Sequence, residues 1–93
     1  MRLHHTGQAL GGDLLALMMD RLRLHCAASA LALSAREEDV VRALLQGLSV
    51  AELAERLGLT VASAQTYTKR LYRKLGVAGH KALVAWLLAP AAA

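Results

Sequence analysis

Ninety-three residues, 56% hydrophobic but only 3% aromatic, with one proline and no phenylalanine, make one small domain plus at most an arm, and favour helices over sheets. The expected fold class is all-α, in a chain too short for a large enzyme cleft. The formal net charge is only +4, yet after Glu55 every charged residue is basic while five acids (Glu37, Glu38, Asp39, Glu52, Glu55) gather just upstream, a layout that presents one cationic face to a polyanion.

In chain order, Met1 to Gly12 lacks the apolar segment of a signal peptide, and His4 and His5 fall in a terminus expected to be mobile. From about Leu10 a helix is predicted, with Leu15, Met18, Met19, Leu22 and Cys26 on one side and Asp13, Asp20 and Arg23 on the other. Its apolar face calls for the main domain or a second copy as partner, and its two aspartates argue against a basic membrane-surface helix. Cys26, the lone cysteine, reads as a small buried hydrophobe in a reducing cytoplasm, and His25 beside it points to a different helix face.

Three start signals follow. Ser34-Ala35-Arg36-Glu37 and Ser49-Val50-Ala51-Glu52 are capping boxes, in which the serine oxygen takes the third helical N–H and the glutamate returns the bond. Thr60 is a third N-cap. Gly47, Gly58 and Gly76 close the runs as residues able to adopt positive φ. Helices are therefore predicted over about 35–46, 50–57, 61–75 and 79–89, the last ended by Pro90. Glu37-Glu38-Asp39 complements the macrodipole of the first of these, with contact to a basic patch on a promoter-bound partner such as RNA polymerase as its second use.

The helices over 50–57 and 61–75 are joined only by Gly58-Leu59-Thr60, which is the helix-turn-helix pattern, with the second helix as the one that enters the DNA major groove. Ala64, Tyr67, Leu71 and Leu75 form its inner face, to be met by Val40, Val41, Leu44, Leu45, Leu53 and Leu57. Its outer face carries Gln65, Thr66, Lys69, Arg70 and Arg73, followed by Lys74, with no acid to balance them. Like charges at helical spacing cost a few tenths of a kcal/mol each, which phosphates would offset. In the last helix Leu83, Val84, Leu87 and Leu88 supply an inward stripe and leave Ala82, Ala85, Trp86 and Ala89 on another face. Small residues around a tryptophan anchor suit a symmetric dimer.

The run LSAREEDVVRALLQGLSVAELAERLGLT, followed by YRKLGV, resembles the LuxR-type (GerE-type) DNA-binding domain of bacterial transcription regulators from Leu33 to about Leu88. The resemblance implies Gln65, Thr66 and Lys69 at base edges, Ser63, Tyr67, Arg70, Arg73 and Lys74 near phosphates, and the last helix as the dimer contact. Two departures stand out: Ser63-Ala64-Gln65 replaces the family's usual Thr-Val-Lys, and His80 replaces a common Arg.

The expected organisation is a helical arm or linker remnant over 1–32, the helix-turn-helix domain over 33–89 and a tail over 90–93. The segment before Leu33 is too short for a complete receiver or ligand-binding domain, so the chain is expected to be a stand-alone effector domain or a fragment. The expected function is a sequence-specific regulator binding duplex DNA as a homodimer, located in the cytoplasm with the nucleoid and making no membrane contact. Two alternatives stand beside it: a small pairing protein that captures a full-length regulator, favoured by Gln65 in place of a cation, and a sigma-factor-like promoter-recognition domain, disfavoured by the Lys74-Leu75-Gly76-Val77 ending. No enzyme, cofactor or metal site is expected, since no nucleophile set, paired carboxylates, phosphate loop or metal-ligand spacing occurs.

Overall fold

The helix starts are made by the chemistry that the capping sequences announce. Ser34 Oγ accepts from the Glu37 amide at 3.1 Å while the Ser34 amide donates to Glu37 Oε1 at 2.8 Å, and Ser49 and Glu52 repeat the arrangement at the same distances. Thr60 Oγ1 accepts from the Ser63 amide at 3.0 Å. The computed structural model describes residues 12–91, so the expectations for His4, His5 and a helix start at Leu10 lie outside the described residues. Within it run α1 (Gly12–Ala28), α2 (Ala35–Leu45), α3 (Val50–Leu57), α4 (Val61–Leu75) and α5 (His80–Leu88). No strand occurs among the described residues, and the fold is all-α.

Four helix ends share one closure. In α3 the Leu59 amide donates back to the Ala54 carbonyl at 2.8 Å across Gly58 at φ +68°, a geometry that leaves α3 and α4 joined by a tight turn. The same bond ends α2 (Leu48 to Ala43, 3.1 Å), α4 (Val77 to Tyr72, 3.0 Å) and α1 (Leu31 to Cys26, 2.8 Å). The residue in the left-handed region after α1 is Ala30, at φ +56°.

The core is continuous. Met18, Met19, Leu22 and Cys26 of α1 are buried with Val40, Val41, Leu44 and Leu45 of α2, Leu53 of α3, Ala64, Leu71 and Leu75 of α4, and Leu83 and Leu87 of α5. α2 packs against all four other helices, and α1 lies against α2 and α5. Burial pushes the Cys26 thiol pKa up, with Glu38 adding to it, as suits a core residue rather than a nucleophile.

Several expectations about side chains are corrected. Leu88, predicted inward, is 61% exposed, because it sits in the last turn of α5 on the side away from Leu83 and Leu87. The Trp86 ring is half-buried and meets His25 edge-on at a centroid distance of 4.7 Å. His25 is buried like Cys26, since α1 is clasped by α2 on one flank and α5 on the other. Arg21 fastens the second contact by donating to the carbonyls of Leu87 and Ala89. Ala54 and Thr68 are buried too, the latter able to enter the core because its hydroxyl donates to the Ala64 carbonyl at 2.8 Å.

An L-residue in the left-handed region is strained by ~1–2 kcal/mol, part of which glycine forfeits through the entropy of the unfolded chain. Ala30→Gly is therefore expected to stabilise the protein by about 0.5–1 kcal/mol, and Gly58→Ala to destabilise it by about 1 kcal/mol. Urea unfolding of both variants checks this; a left-handed Ala30 without strain would show the first change as neutral or harmful.

Candidate nucleic-acid interface

Four buried side chains, Ala64, Thr68, Leu71 and Leu75, turn one face of α4 into the core. At about 100° per residue, that anchoring directs Ala62, Thr66, Lys69 and Arg73 along the opposite side, with Arg70 beside them. All five are exposed. Gln65 is exposed on one flank and Ser63 on the other. Tyr67 is half-buried against the core and joins Ala62, Ser63, Thr66 and Arg70 around an open surface groove. The structure thus brings Gln65, Thr66 and Lys69 to one exposed surface with Arg70 and Arg73.

Electrostatics set α4 apart from the three helices before it. The first turns of α1, α2 and α3 carry Asp13, Glu37 with Glu38, and Glu52, whereas those of α4 and α5 carry no acid. An acid there would stabilise the helix through its dipole by ~0.3–1 kcal/mol, so its absence leaves the helix start open to an external anion. Among the described residues Lys69, Arg70 and Arg73 form no ion pair. On the other helices Arg23 is paired with Asp20 and Glu38, Arg42 with Asp39, and Arg56 with the Gln46 side chain at 2.8 Å, while Lys81 at the start of α5 forms no ion pair among the described residues.

Individual side chains refine the expected roles. The Thr66 hydroxyl donates to the Ala62 carbonyl at 3.1 Å, which leaves its lone pairs and methyl group to face outward. His80, which stands where the family commonly has Arg, has its Nε2 3.0 Å from the Leu44 carbonyl; as the Nε2–H tautomer it donates there and ties the start of α5 to the end of α2. Missed by the sequence reading are Val61 and Ala62, both exposed at the head of α4. Ala82 and Trp86 on α5 are half-buried while Ala85 and Ala89 are exposed. The described residues hold no cluster of three or more His, Cys, Asp or Glu suited to a metal ion. No described helix is long and apolar enough to cross a membrane.

The family model described as bacterial regulatory proteins, luxR family, matches residues 31–87. The chain is 39% identical over 56 residues to the transcriptional regulatory protein MctR of Rhizobium johnstonii, covering 60% of this chain and 26% of that protein. It is 38% identical over 64 residues to the probable transcriptional regulatory protein NarL of Mycobacterium tuberculosis, covering 69% and 30%. With the probable HTH-type transcriptional regulator GfsR of Streptomyces halstedii it shares 39% identity over 59 residues, covering 62% and 24%. The matched segment thus spans less than a third of each of these relatives. No solved structure gives a significant match.

Lys74 differs from the other cations of α4. Its Nζ donates to Glu37 Oε1 at 2.9 Å, the oxygen that also accepts from the Ser34 amide, so one carboxylate caps α2 and clamps the end of α4. The Ser34 amide bond and then Lys74 hold the Glu37 pKa below the usual carboxylate value. A carboxylate whose pKa falls on folding contributes stability that is present above the unfolded value of about 4.3 and is lost as pH drops through it towards the lowered folded value. Glu37→Gln keeps an acceptor for Ser34 and removes the charge. It is expected to cost about 0.5–1 kcal/mol at pH 7, a deficit that shrinks as pH falls below the unfolded value of about 4.3. Thermal unfolding across that range checks it; a pH-independent deficit would mean that the pair with Lys74 contributes nothing.

Proposed function

Because the chain belongs to the luxR family of bacterial regulatory proteins, we propose that it is a DNA-binding transcription regulator that lays α4 in the major groove and binds as a homodimer. Residues 33–89 carry the DNA-binding unit, and it works in the cytoplasm, where bacterial DNA lies. The observation that carries the reading is the run of exposed, unpaired cations on α4. In this arrangement Gln65, Thr66 and Lys69 take base edges, with glutamine able to grip adenine through two bonds and lysine to donate to guanine. Ser63, Tyr67, Arg70 and Arg73 lie towards the phosphates, and Lys74, whose ammonium has donors beyond the one given to Glu37, joins them. Pairing with a full-length regulator, without DNA, gives no role to Lys69, Arg70 and Arg73.

Support for the dimer comes from exposed apolar surface. Among the described residues, four of the five exposed large hydrophobics, Leu14, Leu17, Leu24 and Leu88, lie on α1 and α5, and Ala85 and Ala89 are exposed beside Leu88. The dimer face on α5 is accordingly Ala85, Leu88 and Ala89, with half-buried Ala82 and Trp86 at its inner edge. A two-fold axis there presents two α4 helices to successive major grooves about one turn, ~34 Å, apart on a palindromic site.

The two free cations placed on phosphates, Arg70 and Arg73, predict that log K falls against log[salt] with a slope of about −1.8 per monomer, or about −2.7 when Lys74 also meets a phosphate. Arg73→Ala should weaken all duplexes alike and bring the slope about 0.9 closer to zero. Affinity that does not respond to salt, or no binding to any duplex at low salt, rules out the DNA reading. For the dimer, the double change Ala85→Glu and Leu88→Glu is expected to give a folded monomer in sedimentation that binds a half-site and loses the extra affinity of the full site. A variant that still sediments as a dimer places the contact on the Leu17 and Leu24 ridge of α1 instead.

A further inference from the structure

We infer that Val61 reads the 5-methyl group of a thymine next to the adenine edge taken by Gln65, so that the first turn of α4 selects A·T pairs. The inference rests on the DNA reading above and adds a residue which that reading leaves without a role. Val61 is 48% exposed, the one large exposed hydrophobic outside α1 and α5 among the described residues. Val50, the same residue at the same first position of α3, packs against the core. Neither propensity nor the helix dipole favours valine at an exposed helix start, where proline or an acid is better, so folding does not account for it.

Its placement suits a base edge. The N-terminal residues of a recognition helix are the ones that meet bases, and Val61 stands one turn before Gln65, at i and i+4 on the same side. The Thr60 cap holds this turn, and a β-branched side chain on a helix has one strongly preferred rotamer, so the valine methyls are set in advance. In the major groove an A·T pair offers the adenine N6 and N7 to a glutamine and the thymine methyl to an apolar side chain. No G·C pair offers both. Ala62, exposed and uncharged beside Val61, lets the helix approach closely.

The test uses the full chain and the duplex it selects from a random pool, with each thymine replaced singly by deoxyuridine, which removes only the methyl group. Loss of one buried methyl predicts binding about fourfold weaker at one position. Val61→Ala, which keeps a good helix former, should bind the thymine duplex weaker by a similar factor and be indifferent to deoxyuridine at that position. A wild-type protein insensitive at every thymine, or a Val61→Ala variant as sensitive as the wild type, overturns the inference and leaves the DNA reading standing. Failure to select any duplex overturns both.

Discussion

The structure depends on the desolvation of α2. Val40, Val41, Ala43, Leu44 and Leu45 are buried in eleven residues of helix, and each of the other four helices touches it. Burying a valine or leucine side chain contributes ~1.5–3 kcal/mol, against a few tenths for each like-charge pair on α4. That difference decides what the domain can present. With Ala64, Leu71 and Leu75 held in the core, α4 can leave Lys69, Arg70 and Arg73 uncompensated on its other side, and the charge frustration that results is relieved only by something outside the chain.

Local chemistry was legible wherever a few consecutive residues decide the outcome. Ser34 with Glu37, Ser49 with Glu52, and Thr60 mark helix starts because the bonds involved span three residues. Gly58 and Gly76 mark stops because φ there is positive. Ala30 takes the same left-handed conformation without being glycine, and nothing within its neighbourhood in the sequence signals that. The face of α4 that enters the core was readable from its period, but Thr68 was not, since a hydroxyl bonded within its own helix behaves as an apolar group. The misreading of Leu88 has a tertiary cause: which side of α5 is inner depends on where α1 docks, and a helix with one apolar face fits the main domain or a second copy equally well on pattern alone.

For the site, the cations were legible as a set and their pairing was not. Lys74 looks like Lys69 in sequence, yet Glu37, thirty-seven residues away, engages one and leaves the other free. The Thr66 hydroxyl and His80 changed meaning in the same way, through single bonds to Ala62 and Leu44. Val61 was passed over because an exposed valine at a helix start has no periodic signature; only the contrast with the packed Val50 makes it informative.

Glu37 and Arg21 give the domain its stiffness between surfaces. Glu37 joins the start of α2 to the end of α4, while Arg21 and the His25–Trp86 contact join α1 to α5. His80 closes the remaining side by tying α5 to α2. The exposed ridge on α1 and α5 and the cationic face of α4 are therefore both referenced to α2, and neither can shift without breaking a named bond. In the proposed dimer this fixes the separation of the two α4 helices by core packing rather than by a flexible linker, so that half-site spacing becomes a property of the fold. Loosening α1 from α5, by loss of Arg21 for instance, would then act on DNA recognition through geometry, at a distance from every residue that touches a base.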